Sequence, residues 1–178
     1  MKKILVVVDM QNDFVDGSLG TPEAQSILGA VVKKIRSYGA GAVYATRDTH
    51  GEDYLETQEG RNLPVVHCVR GTAGWELNAQ VQAALGDAPV IDKPTFGSFE
   101  LVRRMKEERE KEEIQIELIG LCTDICVVSN ALLLKAALPE TEISVDASCC
   151  AGVTPESHEA ALTTMKMCQI QVTGQKSV

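Results

Sequence analysis

Three residues of this 178-residue chain stand where nucleophilic chemistry would want them. Cys126 closes the segment Gly120-Leu121-Cys122-Thr123-Asp124-Ile125-Cys126, at the end of the strand pattern Ile114 to Leu121, and Asp9 and Lys93 each lie just past a shorter strand pattern. A cysteine in the first turn after a buried strand has helix N-terminal amides and the helix dipole to stabilise its thiolate, and a nearby lysine lowers its pKa further. Thiol chemistry also needs a proton carrier. Asp9 is the candidate, although a carboxylate after a first strand serves as often only as a cap. The other five cysteines, Cys68, Cys122, Cys149, Cys150 and Cys168, read as small buried hydrophobes, and no spacing among them is a zinc-ribbon pair.

A second group points to a metal. Asp48-Thr49-His50 follows another strand pattern, Glu59 comes next, and His67 lies in Leu63-Pro64-Val65-Val66-His67-Cys68-Val69. Carboxylate and imidazole ligands together suit Zn, Fe or Mn, with positions left open for water or substrate. His158 stands apart and reads as structural.

The elements that must carry these residues alternate in type. Ile4 to Val8 is continuously apolar, as a strand buried on both faces should be. Thr21-Pro22 caps a helix whose Ile27, Leu28, Val31, Val32 and Ile35 recur at helical spacing, with Gly39 as its end. A strand over 42–46 leads into a polar stretch over 47–74 with neither period, a length that in compact domains is usually functional or disordered. A helix over 75–85, a strand near Val90-Ile91 and a helix over 98–110 follow. Its charge-dense end, with Glu107 and Lys111 at i,i+4 spacing, is a solvated face. The pattern then predicts a strand over 114–121, an apolar helix capped by Thr123-Asp124, a strand over 143–145, a helix over 155–167 and a strand over 170–172. Such alternation gives a three-layer, doubly wound α/β domain with a six-stranded, mainly parallel sheet flanked by helices. Its ligands bind at the carboxyl ends of the strands. Asp9, Asp48, the Asp92-Lys93 pair and the 120–126 turn should therefore meet in one crevice.

Composition narrows the classes. At 44% hydrophobic the chain can bury a full core, and 17 Lys plus Arg against 25 Asp plus Glu, a net charge of -8, repels phosphate backbones. No stretch approaches the roughly 20 apolar residues that span a bilayer. The apolar run after Met1-Lys2-Lys3 ends at Asp9, too short for an export signal. The expectation is a cytoplasmic protein that binds neither nucleic acid nor membrane.

The segments Val8-Asp9-Met10-Gln11-Asn12-Asp13-Phe14, Asp92-Lys93-Pro94-Thr95-Phe96-Gly97-Ser98-Phe99 and Gly120-Leu121-Cys122-Thr123-Asp124-Ile125-Cys126-Val127 together resemble the isochorismatase-like cysteine hydrolases. The likeness runs over nearly the whole chain and implies one such domain across 1–178. It implies an Asp-Lys-Cys triad with Cys126 as nucleophile, Asp9 as proton acceptor and donor, and Lys93 as electrostatic partner. It also implies a cis peptide between Leu121 and Cys122, with the amides of Cys122 and Cys126 as an oxyanion hole. Family members often carry a small residue such as Ala at the place of Cys122.

The metal group is similar to that of the nicotinamidases in the same superfamily. Asp48, His50 and His67 match their ligand positions, and Glu59 the additional carboxylate of some members. The implied cofactor is a divalent ion, zinc first and iron or manganese as alternatives, with no organic cofactor. The chain departs from many nicotinamidases by having Thr49 and Pro64 where they carry tryptophan. Phe14, Tyr54, Phe96 and Phe99 are the candidates for the missing aromatic wall.

The activity so implied is metal-assisted hydrolysis of a small neutral carboxamide, nicotinamide first, through a Cys126 thioester, by a homo-oligomer. The alternatives are another C–N hydrolase acting on a carbamoyl or ureido compound, and a non-catalytic metal-binding or interaction domain. A haloacid-dehalogenase-type phosphatase would want an acid where Gln11 stands, and a dinucleotide module would want a GxGxxG turn that the chain lacks.

Overall fold

The protein is described by a computed structural model covering residues 1–175. Its sheet has six strands in the order β3-β2-β1-β4-β5-β6, all parallel. The strands are β1 (Lys2–Val8), β2 (Val43–Asp48), β3 (Val90–Lys93), β4 (Ile114–Leu121), β5 (Glu142–Ala151) and β6 (Gln171–Thr173). The longer helices are α2 (Pro22–Arg36), α5 (Phe99–Lys111), α6 (Val128–Ala137) and α7 (Pro155–Met167), and shorter ones are α1 (Asn12–Val15), α3 (Gln58–Asn62) and α4 (Ala79–Leu85).

Central strands of a parallel sheet must be covered on both faces, which is why β1 reads Ile4-Leu5-Val6-Val7-Val8 with no polar break and every one of these residues fully buried. Each such side chain contributes about 1.5–3 kcal/mol on burial. α2 packs over β4 and β5 and against α4, while α6 touches α5, α7 and β5. The chain winds from β1 toward β3 on one side and from β4 toward β6 on the other. The reversal falls between β1 and β4, and a crevice opens there at the strand ends. Gly120 is required at this seam: a Cβ there would come within 2.1 Å of the Val8 carbonyl oxygen of β1.

Several boundaries differ from expectation, for local reasons. The predicted helix over 75–85 begins only at Ala79. Glu76 and Leu77 instead pair with the segment after β1, and Asn78 caps the helix by accepting from Gln80 N. α2 starts with Thr21 accepting from Ala24 N, as expected, but ends at Arg36, before Gly39. β5 runs to Ala151, so Cys149 and Cys150 are buried strand residues. Thr123 and Asp124 do not cap α6. They lie in a π-helical turn, Thr123–Val127, that precedes it, and their side chains bond elsewhere. Lys111 pairs with Glu108 rather than Glu107, because Glu108 is anchored from the other side by Lys2 at 2.5 Å. The 47–74 stretch holds a 3-10 turn, Tyr54–Glu56, and α3, and is tied back by a bridge between His50 and Val69.

Candidate active site

Parallel pairing sets the depth of each group. Val8 of β1 is level with Thr46 of β2 and Gly120 of β4, and Asp48 is level with Lys93 of β3, so the residues that end these strands share one crevice. Asp9 follows with φ +47, a left-handed turn uncommon outside glycine and recurrent at functional sites.

Lys93 is the hub. Its Nζ, fully buried, lies 2.6 Å from Asp9 Oδ2, 3.2 Å from Asp48 Oδ1, 3.4 Å from Cys126 Sγ and 3.0 Å from the Thr95 carbonyl. Burial works against its proton, but the Asp9 and Asp48 carboxylates beside it outweigh that and hold it as an ammonium. Asp9 is raised above the usual carboxylate range by burial, which Lys93 opposes and Asp48 reinforces. Its Oδ1 accepts from Thr46 Oγ1 at 2.7 Å. Its Oδ2 meets Lys93 as an ion pair but accepts no hydrogen bond of regular geometry, alone among the buried side-chain oxygens and nitrogens of the described residues.

The Cys126 thiol is pushed well up by its burial and by Asp9, against the pull of Lys93. The expected lowering of the thiol pKa is therefore corrected. Two carboxylates and full desolvation outweigh one ammonium and the helix start, and the resting group is a thiol beside a carboxylate.

The turn that carries Cys126 is fastened on three sides. The peptide between Leu121 and Cys122 is cis, as the resemblance implies. Thr123 Oγ1 is 2.8 Å from His158 Nδ1, and Asp124 accepts from Val153 N at 3.1 Å, which joins the turn to the β5–α7 connection. His158 thus has the structural role expected of it, behind the turn. Asn130, fully buried on α6, donates to the Cys126 carbonyl at 2.8 Å and to the Phe96 carbonyl at 3.1 Å, and accepts from Ser98 N at 2.9 Å. The turn is thereby locked to the segment after Lys93. Gln11 does the same for Asp48: its Nε2 donates to the Asp48 carbonyl at 2.8 Å and its Oε1 accepts from Asp48 N at 2.7 Å. Neither clamp was foreseen from the sequence. An asparagine within an otherwise apolar helix was the available signal for Asn130.

Asp48 looks both ways, with Oδ1 toward Lys93 and Oδ2 3.0 Å from His50 Nε2. His50 Nε2 is 3.7 Å from Glu59 Oε1, and His67 Nε2 is 3.7 Å from Asp48 Oδ2 and 3.9 Å from Glu59 Oε1. One donor atom from each of the four lies within 4.8 Å of the others. His67 Nδ1 is 2.8 Å from the Val65 carbonyl, which can only accept, so the ring proton is fixed there and Nε2 keeps its lone pair for the cluster. Two imidazoles and two carboxylates so arranged fit a divalent cation.

Between the thiol and this cluster opens a cavity of about 220 Å³. Cys126, Asp48, Glu59 and His67 line its inner end, and Phe14 and Phe96 are its aromatic walls. Two predicted wall residues are corrected. Tyr54 is fully buried behind the cluster, its ring 4.7 Å from that of His50 and 4.9 Å from that of His67, because its hydroxyl is drawn inward to the Leu63 carbonyl. Phe99, the first residue of α5, points into solvent at 79% exposure. Cys122 lines the cavity, its thiol pushed up to about 12 by burial and by Asp124. A larger hollow, about 510 Å³, lies beside the ends of β5 and α7, shares only Gly152 with the first and contains neither the thiol nor the cluster.

The family model described as the isochorismatase domain matches residues 3–177. The chain belongs to the isochorismatase family. Within the family it is 25% identical to the nicotinamidase/pyrazinamidase of Mycobacterium tuberculosis over 188 residues, covering 96% of this chain and 97% of that one. Among solved structures it is similar to the pyrazinamidase of Pyrococcus horikoshii in complex with zinc, at a TM-score of 0.82 and 30% identity over 98% of this chain and 100% of that one. It is also similar to the nicotinamidase/pyrazinamidase of Bacillus subtilis, at 0.83 and 27% over 97% and 100%.

Proposed function

We propose that the protein is a metal-assisted cysteine amidohydrolase that converts nicotinamide and water to nicotinate and ammonia. The observation that carries this reading is the meeting of thiol, carboxylate and buried ammonium on one lysine nitrogen, at the inner end of an apolar cavity that also holds three members of the metal cluster. Full-length relatives bearing nicotinamidase and pyrazinamidase names support the substrate. A carbamoyl compound bearing a carboxylate is disfavoured, since no lysine or arginine lines the cavity.

Cys126 Sγ attacks the amide carbon as its proton passes to Asp9, whose Oδ2 has an unfilled acceptor site. Burial raises both the thiol and the carboxyl above their ordinary ranges. The amides of Cys122 and Cys126 hold the developing oxyanion. Asp9 then protonates the departing nitrogen, which leaves as ammonia, and Cys126 is left as a thioester. Water attacks the thioester, Asp9 takes its proton, the acid departs and the thiol is restored. Lys93 keeps its positive charge throughout and offsets the negative charge that moves between Cys126 and Asp9.

Asp48, His50, Glu59 and His67 would hold a divalent ion, and zinc is proposed from the donor set and from the zinc complex of the Pyrococcus relative. When bound there, such an ion supplies a Lewis-acid centre for a ring nitrogen or a water. The proposal extends to a cytoplasmic homo-oligomer without organic cofactor. The resemblance supports self-association, and six free thiols suit a reducing compartment.

The test is ammonia release from nicotinamide by the purified chain and by Cys126→Ala. The variant should be folded and inactive. Substantial residual turnover would remove Cys126 as nucleophile, and no turnover by the zinc-loaded wild type on any amide would remove the reading itself.

A further inference from the structure

The cavity has two ends of opposite character. Cys126, His67, Asp48 and Phe14 at the inner end are buried, whereas Leu63, Phe96 and Val153 at the opening are 39%, 42% and 50% exposed. These three large apolar side chains come from three separate connections, after α3, after β3 and after β5, yet they meet around one opening. Leu19, half-buried, lines the same cavity, and no charged side chain stands among these four. Apolar surface gathered from independent loops around a cavity marks a ligand contact rather than the edge of a core. A protein partner seated there would close the route by which amide enters and ammonia leaves, so the occupant is the substrate itself.

We infer that the preferred amide carries an apolar substituent, an alkyl chain or second ring, which leaves the inner chamber and lies between Leu63, Phe96 and Val153. The inference rests on the amidohydrolase reading and sets a substituted amide ahead of nicotinamide itself. Leu63 and Val153 are its specificity-determining residues. Water that now covers their side chains would be displaced by the substituent, and a gain realised along the whole reaction appears in kcat/KM.

The experiment measures kcat/KM by ammonia release for the zinc-loaded full chain. The substrates are nicotinamide and two series bearing either a propyl or a carboxyethyl group at each ring carbon not adjacent to the carboxamide. At least one propyl compound should exceed nicotinamide by about tenfold, the yield of two to three partly buried methylenes. Its carboxyethyl counterpart should fall below nicotinamide. In Leu63→Ser and Val153→Ser, both exposed positions whose change leaves the core filled, the propyl-to-nicotinamide ratio should fall toward one. Nicotinamide as the best substrate, or a ratio that the two variants leave unchanged, overturns the inference while the amidohydrolase reading stands. Ammonia from none of the compounds overturns both.

Discussion

Asp9 raises the proton affinity of Cys126, and this gives a test in which two readouts move in opposite directions. Asp9→Asn deletes the negative charge that, after burial, holds the thiol up. Alkylation of Cys126 by iodoacetamide at neutral pH should become faster, because more of the thiolate is present. Amide turnover should fall about 10²–10⁴-fold with the proton carrier gone. Slower alkylation, or turnover within a few-fold of wild type, would show that Asp9 does not set the state of the thiol. At this scale Asp9, Lys93 and Cys126 were legible in the sequence, since each is a chemically distinct residue at the end of a strand pattern. The direction of the cysteine pKa was not. It depends on how completely Cys126 is desolvated and on Asp48 arriving from another strand. Tyr54 and Phe99 failed as wall residues for a related reason: lying near a motif in the chain says nothing of which way a ring points.

Between elements, the site depends on clamps that bridge loops. Asn130→Ala would leave the Cys126 carbonyl, the Phe96 carbonyl and Ser98 N without their partner in a buried setting. It should cost about 1–3 kcal/mol of stability by denaturant titration and lower kcat more than it raises KM, since it disturbs the turn rather than the cavity wall. A stability loss with kcat intact would make Asn130 purely structural. At the far end of the sheet, Lys111 and Lys2 hold the Glu108 carboxyl down to about 2. A depressed carboxylate contributes stability that is full above its unfolded value, near 4.5, and is lost as pH falls toward 2. Glu108→Gln should accordingly flatten the acid limb of the stability curve between those values and cost no more than about 1 kcal/mol at pH 7. An unchanged acid limb would remove the pair from the account. The buried strands and the helices over 22–36, 99–111 and 155–167 were readable because apolar runs and caps are local signals. The length of β5 and the non-helical start of 75–78 were not, because sheet pairing and the bridge to Gln11 decided them.

Across the whole molecule, the reversal of winding between β1 and β4 gathers groups from residues 9, 48, 93 and 126, and the 47–74 connection folds the remaining donors over them. Two carboxylates facing each other make that connection costly to hold without a cation. Chelation should lower Tm by several degrees and abolish nicotinamide turnover, and zinc should restore both, the stabilisation growing with the ratio of free ion to Kd. Full activity in verified metal-free protein would reject a catalytic role for the cluster. Asp48 gives this arrangement a further property. Because one carboxylate serves Lys93 with one oxygen and the metal donors with the other, the ammonium and the ion compete for the same negative charge. Thermodynamic reciprocity then requires that a bound ion lower the proton affinity of Lys93 by the same free energy by which the protonated lysine weakens the ion. Lys93→Met, at a residue that touches no metal donor except Asp48, should bind zinc more tightly than wild type. An equal or weaker affinity in competition with a chelator would show that the two oxygens act as strangers.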